Sequence, residues 1–272
     1  MVMTVSMAFA NTIVKEILLL GICCASVYAA IGIHNAIKDN DYQLPRYTKR
    51  VIYILVPIAV LVSFFNYIVF LTVIAWILFG FVYNTIARHI LFGDTTILAI
   101  THFALPSFSS SFLLGLDLIL ALQLSILFFL IAWFITQAKN LKDTKNDKKR
   151  SYVTLTTKFR NGIFTTKVFA FVPLIFMLGS YFLFDLSIKF ISILLIVTFL
   201  IITAEIKINQ NQEKQSIGLL RLVFLVYMLG LIIEKTSSYP IILAGFFLLL
   251  FYVFYLLMPK LRNFVLKSKN AI

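Results

Sequence analysis

The chain reads as a succession of long apolar runs separated by short polar breaks. The runs fall at 12–33, 51–67, 69–88, 95–114, 117–137, 168–184, 187–204, 216–234 and 240–258. Most approach the roughly 20 residues that an α-helix needs to cross a hydrocarbon core about 30 Å thick. The pattern predicts an all-α, polytopic membrane bundle of nine transmembrane helices, with a tight turn near Asn66. Pro57, Pro106 and Pro173 lie inside predicted spans, where neighbouring helices can satisfy the freed backbone groups. The longest polar stretch, 138–165, is too short to fold around a core of its own, so 1–272 is read as one transmembrane domain.

Composition agrees with this reading. Of 272 residues, 61% are hydrophobic and 13% charged, more apolar surface than a soluble domain of this length could hide. Cys23 and Cys24 are neighbours in the first apolar run and read as packing residues. No basic residue precedes Lys15, so the first run lacks the charged start of a signal peptide and is expected to be retained. Alternating the loops along nine spans puts 21 of the 24 basic residues on one side and only Lys15, Lys189 and Lys235 on the other. The positive-inside rule then predicts an external N-terminus and a cytoplasmic C-terminus in the cell membrane. The net charge of +13 suggests an anionic partner, either lipid headgroups or a phosphate-bearing substrate; nucleic acid is not expected.

Two segments predicted as cytoplasmic loops carry clustered carboxylates. Residues 34–42 include Asn35, Asp39 and Asp41; residues 139–150 include Lys139, Asp143 and Asp147. Asn35 and Asp39 are four apart, as are Asp143 and Asp147, a spacing that on a helical turn places both oxygen-bearing side chains on one face. Four predicted spans separate the clusters, so both face one compartment. Facing carboxylates suit a hard divalent ion shared with a substrate's phosphates, and interleaved Lys and Arg suit the remaining negative charge. By spacing alone, solvated loops carrying topogenic charge fit equally well. His34, His102 and the Glu205–Lys207 pair are further polar positions near or within spans. There is no HExxH, P-loop or GxGxxG pattern, which removes zinc peptidase, nucleotide-hydrolysing and dinucleotide-binding chemistry.

The stretch Asp143-x-x-x-Asp147-Lys-Lys, followed by Thr154-Leu155-x-x-Lys158-Phe159, resembles the second Asp-rich motif of the UbiA superfamily of intramembrane polyprenyltransferases. Thr156 and Arg160 stand where that family often has Pro and Gly, and Lys139 falls where many members carry a Lys. Residues 34–50 resemble the first motif, with Asn35 and Asp39 in place, Ala36 for the usual Asp beside the Asn, and Gln43 at the third Asp position. Tyr83 to Arg88, followed by Gly93, is similar to the family's Tyr-to-basic turn. The resemblance covers about 20–234. One span precedes the first motif, where the family has two, and four follow the second motif instead of three. The extra span 240–258 is therefore expected to pack beside 12–33 and partly fill the vacancy.

The resemblance implies a helical bundle around a central cavity and transfer of a prenyl group from its diphosphate to an aromatic or other lipid-precursor acceptor reached through the bilayer. It implies Mg2+ held by Asn35, Asp39, Asp41, Asp143 and Asp147, with Asp39, Asp143 and Asp147 catalytic. Arg46, Arg88 and Lys139 would bind the diphosphate. The alternative is a catalytically degenerate, lipid-binding homologue, which Ala36 and Gln43 favour. A small transporter is third, weakened because almost no acid or base sits mid-span.

The charge asymmetry makes one direct prediction. In intact cells, a probe cysteine replacing Asn146, in a variant lacking Cys23 and Cys24, is expected to resist an impermeant thiol reagent until the membrane is opened. Rapid labelling from outside overturns the topology.

Overall fold

The computed structural model describes residues 1–39 and 48–269, and among the described residues it contains helices and no strand. Among the described residues, eight helices are long and apolar enough to cross a membrane, and a shorter apolar helix spans Arg50–Ser63. These take the places of the nine predicted spans. The long elements begin with α2 (Lys15–Asp39), α3 (Thr48–Ser63) and α4 (Tyr67–Thr85). A broken helix follows, formed by α5 (Gly93–Ala99), a π-helical turn (Ile100–Ala104) and α6 (Leu105–Leu113). Then come α7 (Leu118–Lys149), the short α8 (Leu155–Lys158), and α9 (Gly162–Phe169) leading into α10 (Val172–Leu183). The chain ends with α11 (Phe190–Asn209), α12 (Glu213–Lys235) and α13 (Tyr239–Lys269).

Local chemistry sets these boundaries. The predicted turn at Asn66 is an N-cap: its side chain accepts from the backbone N–H groups of Ile68 and Val69 at 2.9 and 3.3 Å. Asp117 caps α7 in the same way, accepting from Ile119 at 2.9 Å. Pro173 stands in the first turn of α10, where its missing N–H is harmless. α7 runs well past the predicted span end at 137, because nothing in the polar sequence from Lys139 to Lys149 breaks a helix. Its 32 residues make a rod of about 48 Å, longer than the hydrocarbon core is thick.

Buried apolar side chains fall into two clusters. The smaller joins α2, α3 and α4 through Leu20, Cys24, Val27, Ala59, Val73 and Trp76. The larger is built on α7, α10, α11 and α12, with Phe128, Ile131, Met177, Val197, Tyr227 and Leu231 at its centre. The cavities of the functional site run between the two. Many large apolar side chains, such as Leu18, Ile22, Phe65, Phe182 and Phe247, point outward, as a lipid-facing surface allows.

Two features depart from the expected arrangement. Val2–Ala10 forms a helix, α1, that a search for full-length apolar runs passes over because it has only nine residues. It packs against α6 and α12, and Asn11 turns the chain back in a left-handed conformation (φ 50°). α13 lies along α12 and touches α1 and is not packed against α2, so it does not stand beside 12–33 as expected. The wedge at that flank is α1: its Val2, Val5 and Ala8 belong to the large cluster, while Met3 packs against the small one.

Close helix approach in lipid depends on small residues. A Cβ on Gly230 would stand 2.6 Å from Ile193 Cγ2 and 3.0 Å from Phe190 Cε2, so Gly230 sets the α11–α12 spacing. Gly179, within α10, has nothing within 4 Å of such an atom. Gly230→Val is expected to destabilise the purified protein by about 1–3 kcal/mol, and Gly179→Ala to be neutral or slightly stabilising. Thermal unfolding in detergent checks both.

Candidate functional site

α7 carries Lys139, Asp143 and Asp147 at intervals of four, which places them one above another on one face of the helix. That face closes a polar chamber of about 240 Å³ together with Asn35 at the end of α2, Tyr83 on α4, and Arg88 and Asp94 at the join of α4 and α5. Asn140, Lys142, Asn146, Arg150, Tyr152 and Thr154 complete its wall. Five of the residues singled out by sequence, Asn35, Arg88, Lys139, Asp143 and Asp147, thus share one chamber. The carboxylates stand on helix ends and not, as the charge pattern suggested, on loops. Asp39 is the last residue of α2; its side chain, and the whole of Asp41, Gln43 and Arg46, lie outside the described residues.

Arg88 organises the chamber mouth. It is only 7% exposed. One guanidinium nitrogen donates to the Tyr152 hydroxyl at 2.8 Å and another donates to the Asn35 amide oxygen. Its plane lies over the rings of Tyr83 and Tyr152, 4.7 and 4.9 Å from their centroids. The Arg88 carbonyl accepts from the Val153 N–H at 2.9 Å, so backbone as well as side chain joins this turn to the segment after α7. Gly93 is required here: a Cβ would meet the Ala87 carbonyl oxygen at 2.3 Å. Ser151 ends α7 in a left-handed conformation (φ 56°), and the Tyr152 N–H returns to the Asp147 carbonyl at 2.9 Å. Thr154 then caps α8, exchanging hydrogen bonds with Thr157. Gly162 lets α9 approach α8, since a Cβ there would lie 1.8 Å from the Leu155 carbonyl oxygen.

Asp143 pairs with Lys142 at 3.5 Å, while Asp147 is nearly buried. Asp94, a third carboxylate in the chamber, was not singled out by sequence, although it directly follows Gly93. Its Oδ1 is buried without a hydrogen-bond partner among the described residues. Tyr152 and Asn140 carried no sequence signal at all. Among the described residues, no three His, Cys, Asp or Glu side chains stand close enough to hold a metal by themselves.

Beneath the polar chamber the lining turns apolar. A second cavity of about 180 Å³ shares Asn35, Tyr83 and Lys139 with the first and is lined further down by Tyr28, Trp76, Leu98 and His102. A third, of about 320 Å³, shares Tyr28, Trp76 and His102 and reaches α1 and α12 at Met3, Leu225 and Met228. His102 is therefore a cavity residue. His34 instead meets the Asn84 side chain at 3.3 Å in a groove outside the chamber, beside Lys38. Glu205 is buried on α11 and lines none of these three cavities.

The sequence profile of the UbiA prenyltransferase family matches residues 44–229, more than half of the chain. No curated protein matches by sequence. Two solved structures share the fold. One is the apo structure of a UbiA homolog from Aeropyrum pernix K1, with TM-score 0.66 and 12% identity, over 85% of this chain and 96% of that one. The other is a digeranylgeranylglyceryl phosphate synthase, with TM-score 0.64 and 17% identity, over 86% and 91%.

Proposed function

The chain belongs to the UbiA prenyltransferase family and is a multi-pass membrane protein, and from that premise we propose that it transfers a prenyl group from a prenyl diphosphate to a lipid-soluble acceptor. The observation that carries this reading is the junction of the polar chamber with the apolar cavities below it. A prenyl diphosphate has the same two parts, a charged head and a hydrocarbon tail. The basic residues around the chamber favour a cytoplasmic orientation for it.

The donor set suits a magnesium-bridged diphosphate. Magnesium takes one or two carboxylates, keeps waters and leaves the remaining positions to substrate phosphates, so no complete protein cage is needed. Asp143 and Asp147 supply the carboxylates, Asn35 an amide oxygen, and the unpartnered Oδ1 of Asp94 a further acceptor. Asp39 belongs to the same set by family position, Asp41 is an extra candidate ligand that no family position supports, and Arg46 joins the diphosphate side. When bound, the ion neutralises charge that develops on the departing diphosphate. Arg88 and Lys139 add fixed positive charge, and Arg88 is already oriented by Asn35 and Tyr152. Tyr83, Tyr28 and Trp76 wall the space in which the allylic carbon becomes cationic, excluding water and offering ring faces to the charge. A second reading, a lipid-binding homologue without turnover, rests on Ala36 and Gln43.

Assay of prenyl diphosphate consumption in reconstituted membranes tests the proposal. Asp147→Ala is expected to lower the rate about a hundredfold, the loss of roughly 3 kcal/mol of transition-state stabilisation. Lys148→Ala, on a neighbouring groove outside the chamber, should change little. Activity that persists after magnesium chelation, or in the Asp143→Ala, Asp147→Ala double variant, overturns the paired-carboxylate mechanism. Binding of the diphosphate without turnover by any acceptor favours the second reading, and restoring Asp at 36 and 43 is then the direct test.

A further inference from the structure

His102 sits where the second and third cavities meet, and its surroundings fix which ring nitrogen is free. Nδ1 lies 3.1 Å from the Leu98 carbonyl oxygen and 2.8 Å from Thr101 Oγ1. A carbonyl only accepts, so Nδ1 carries the hydrogen. The Thr101 hydroxyl is consistent with this, because it donates to the Ile97 carbonyl at 2.8 Å and keeps its lone pairs for Nδ1–H. In the neutral ring Nε2 is then a lone-pair acceptor. It lies across the ring from a nitrogen tied to the helix's own backbone, so it points away from that backbone.

The backbone around His102 is built to present it. Residues 100–104 form a π-helical turn, a local widening that often marks functional positions. Its cause is nearby: Pro106 has no N–H to give to the carbonyl four residues earlier, which is that of His102. The Tyr28 ring meets the imidazole edge-on at 4.9 Å between centroids, and the Trp76 ring lies tilted at 5.9 Å. Tyr28 and Trp76 each stand seven residues from the chamber residue on their own helix, Asn35 and Tyr83. That spacing puts the aromatic layer about 10 Å beneath the polar chamber. The third cavity, which continues from this layer to α12, has no charged side chain in its lining.

We propose that His102 Nε2 accepts a hydrogen bond from an O–H or N–H group on a flat acceptor that lies against the edge-to-face pair of Tyr28 and Trp76, whose centroids are 6.4 Å apart. The inference rests on the prenyl-transfer reading and names the acceptor class. The reacting atom of the acceptor must reach the donor carbon just under the diphosphate, so the group on His102 is a remote handle. His102 therefore selects and orients the acceptor. A carboxylate placed on Nε2 would meet a lone pair, so the group that reaches His102 is a donor.

Calorimetric titration of hydroquinone into the protein in nanodiscs, without donor, tests binding separately from turnover. Wild type is expected to bind hydroquinone, and to bind 1,4-dimethoxybenzene, which has no O–H or N–H to give, at least tenfold more weakly. His102→Phe should weaken hydroquinone about tenfold, the loss of one net hydrogen bond, and His102→Gln, which keeps an acceptor oxygen, should recover most of it. With a prenyl diphosphate present, the same variants should raise KM for hydroquinone with kcat little changed. Binding that depends on His102 without any turnover supports the site while removing the prenyl-transfer reading. Absent hydroquinone binding in wild type, equal binding by His102→Phe, or equal binding of 1,4-dimethoxybenzene by wild type overturns the proposal.

Discussion

A guanidinium taken out of water without partners costs several kcal/mol, and breaking one of its buried pairings is correspondingly expensive. Arg88 is buried at the rim of the chamber, and each of the parts it binds comes from a different place in the chain. Asn35 is near the end of α2, Tyr83 is on α4, and Tyr152 and Val153 follow α7. These parts belong to helices of both apolar clusters. One buried charge thus ties the two halves of the bundle together at the level of the carboxylates. The register of Asp143 and Asp147 against Asn35 follows from that tie, and so does the opening of the apolar cavities beneath it.

The spans were legible because each buries or exposes a long uninterrupted apolar run, a signal that needs no partner to be read. The Asp143–Asp147 spacing was legible because a helix puts fourth neighbours on one face. What escaped was decided by distant packing. Nine residues at Val2–Ala10 cannot announce themselves as a span, and their helix exists by contact with α6 and α12. Asp94 looks like an ordinary polar residue at a helix start, and only the approach of α7 makes it a chamber wall. His102 was visible as a polar residue in a span near a proline, but the π-helical turn that aims it was not. The motif segments read as loops because charge marks the end of an apolar run, whereas a helix stops only where its backbone is interrupted, here at Ser151.

The separation of the apolar core into two clusters has a physical basis in the solvent. Lipid tails are as apolar as leucine, so helices in a bilayer gain little by burying apolar surface against each other and associate through close packing and polar bonds. Within each cluster, close approach is secured by small residues, as at Gly230 in the large one and Gly80 against Ile31 in the small one. Between the clusters the aromatic layer of Tyr28, Trp76 and His102 spans the gap without filling it.

The broken helix of α5 and α6 has the lowest mean hydropathy of the eight candidate spans, 1.3 against at least 1.8 for the others. Four of its residues, Ser107, Ser109, Ser110 and Ser111, are buried serines. Three of these hydroxyls and one backbone carbonyl are answered from elsewhere: Ser109 by Thr72 of α4 at 2.6 Å, Ser110 and Ser111 by Ser6 of α1 at 2.8 and 3.1 Å, and the Ala104 carbonyl by Ser125 of α7 at 2.8 Å. A segment so equipped is poorly suited to enter lipid as a solitary helix, since its hydroxyls would arrive there without the partners that α1 and α4 supply. Its residence in the bilayer is collective, established when α4 is already in place and made permanent when α7 follows. The assembly of this membrane protein therefore has an order written into its fourth span, which can settle only in company.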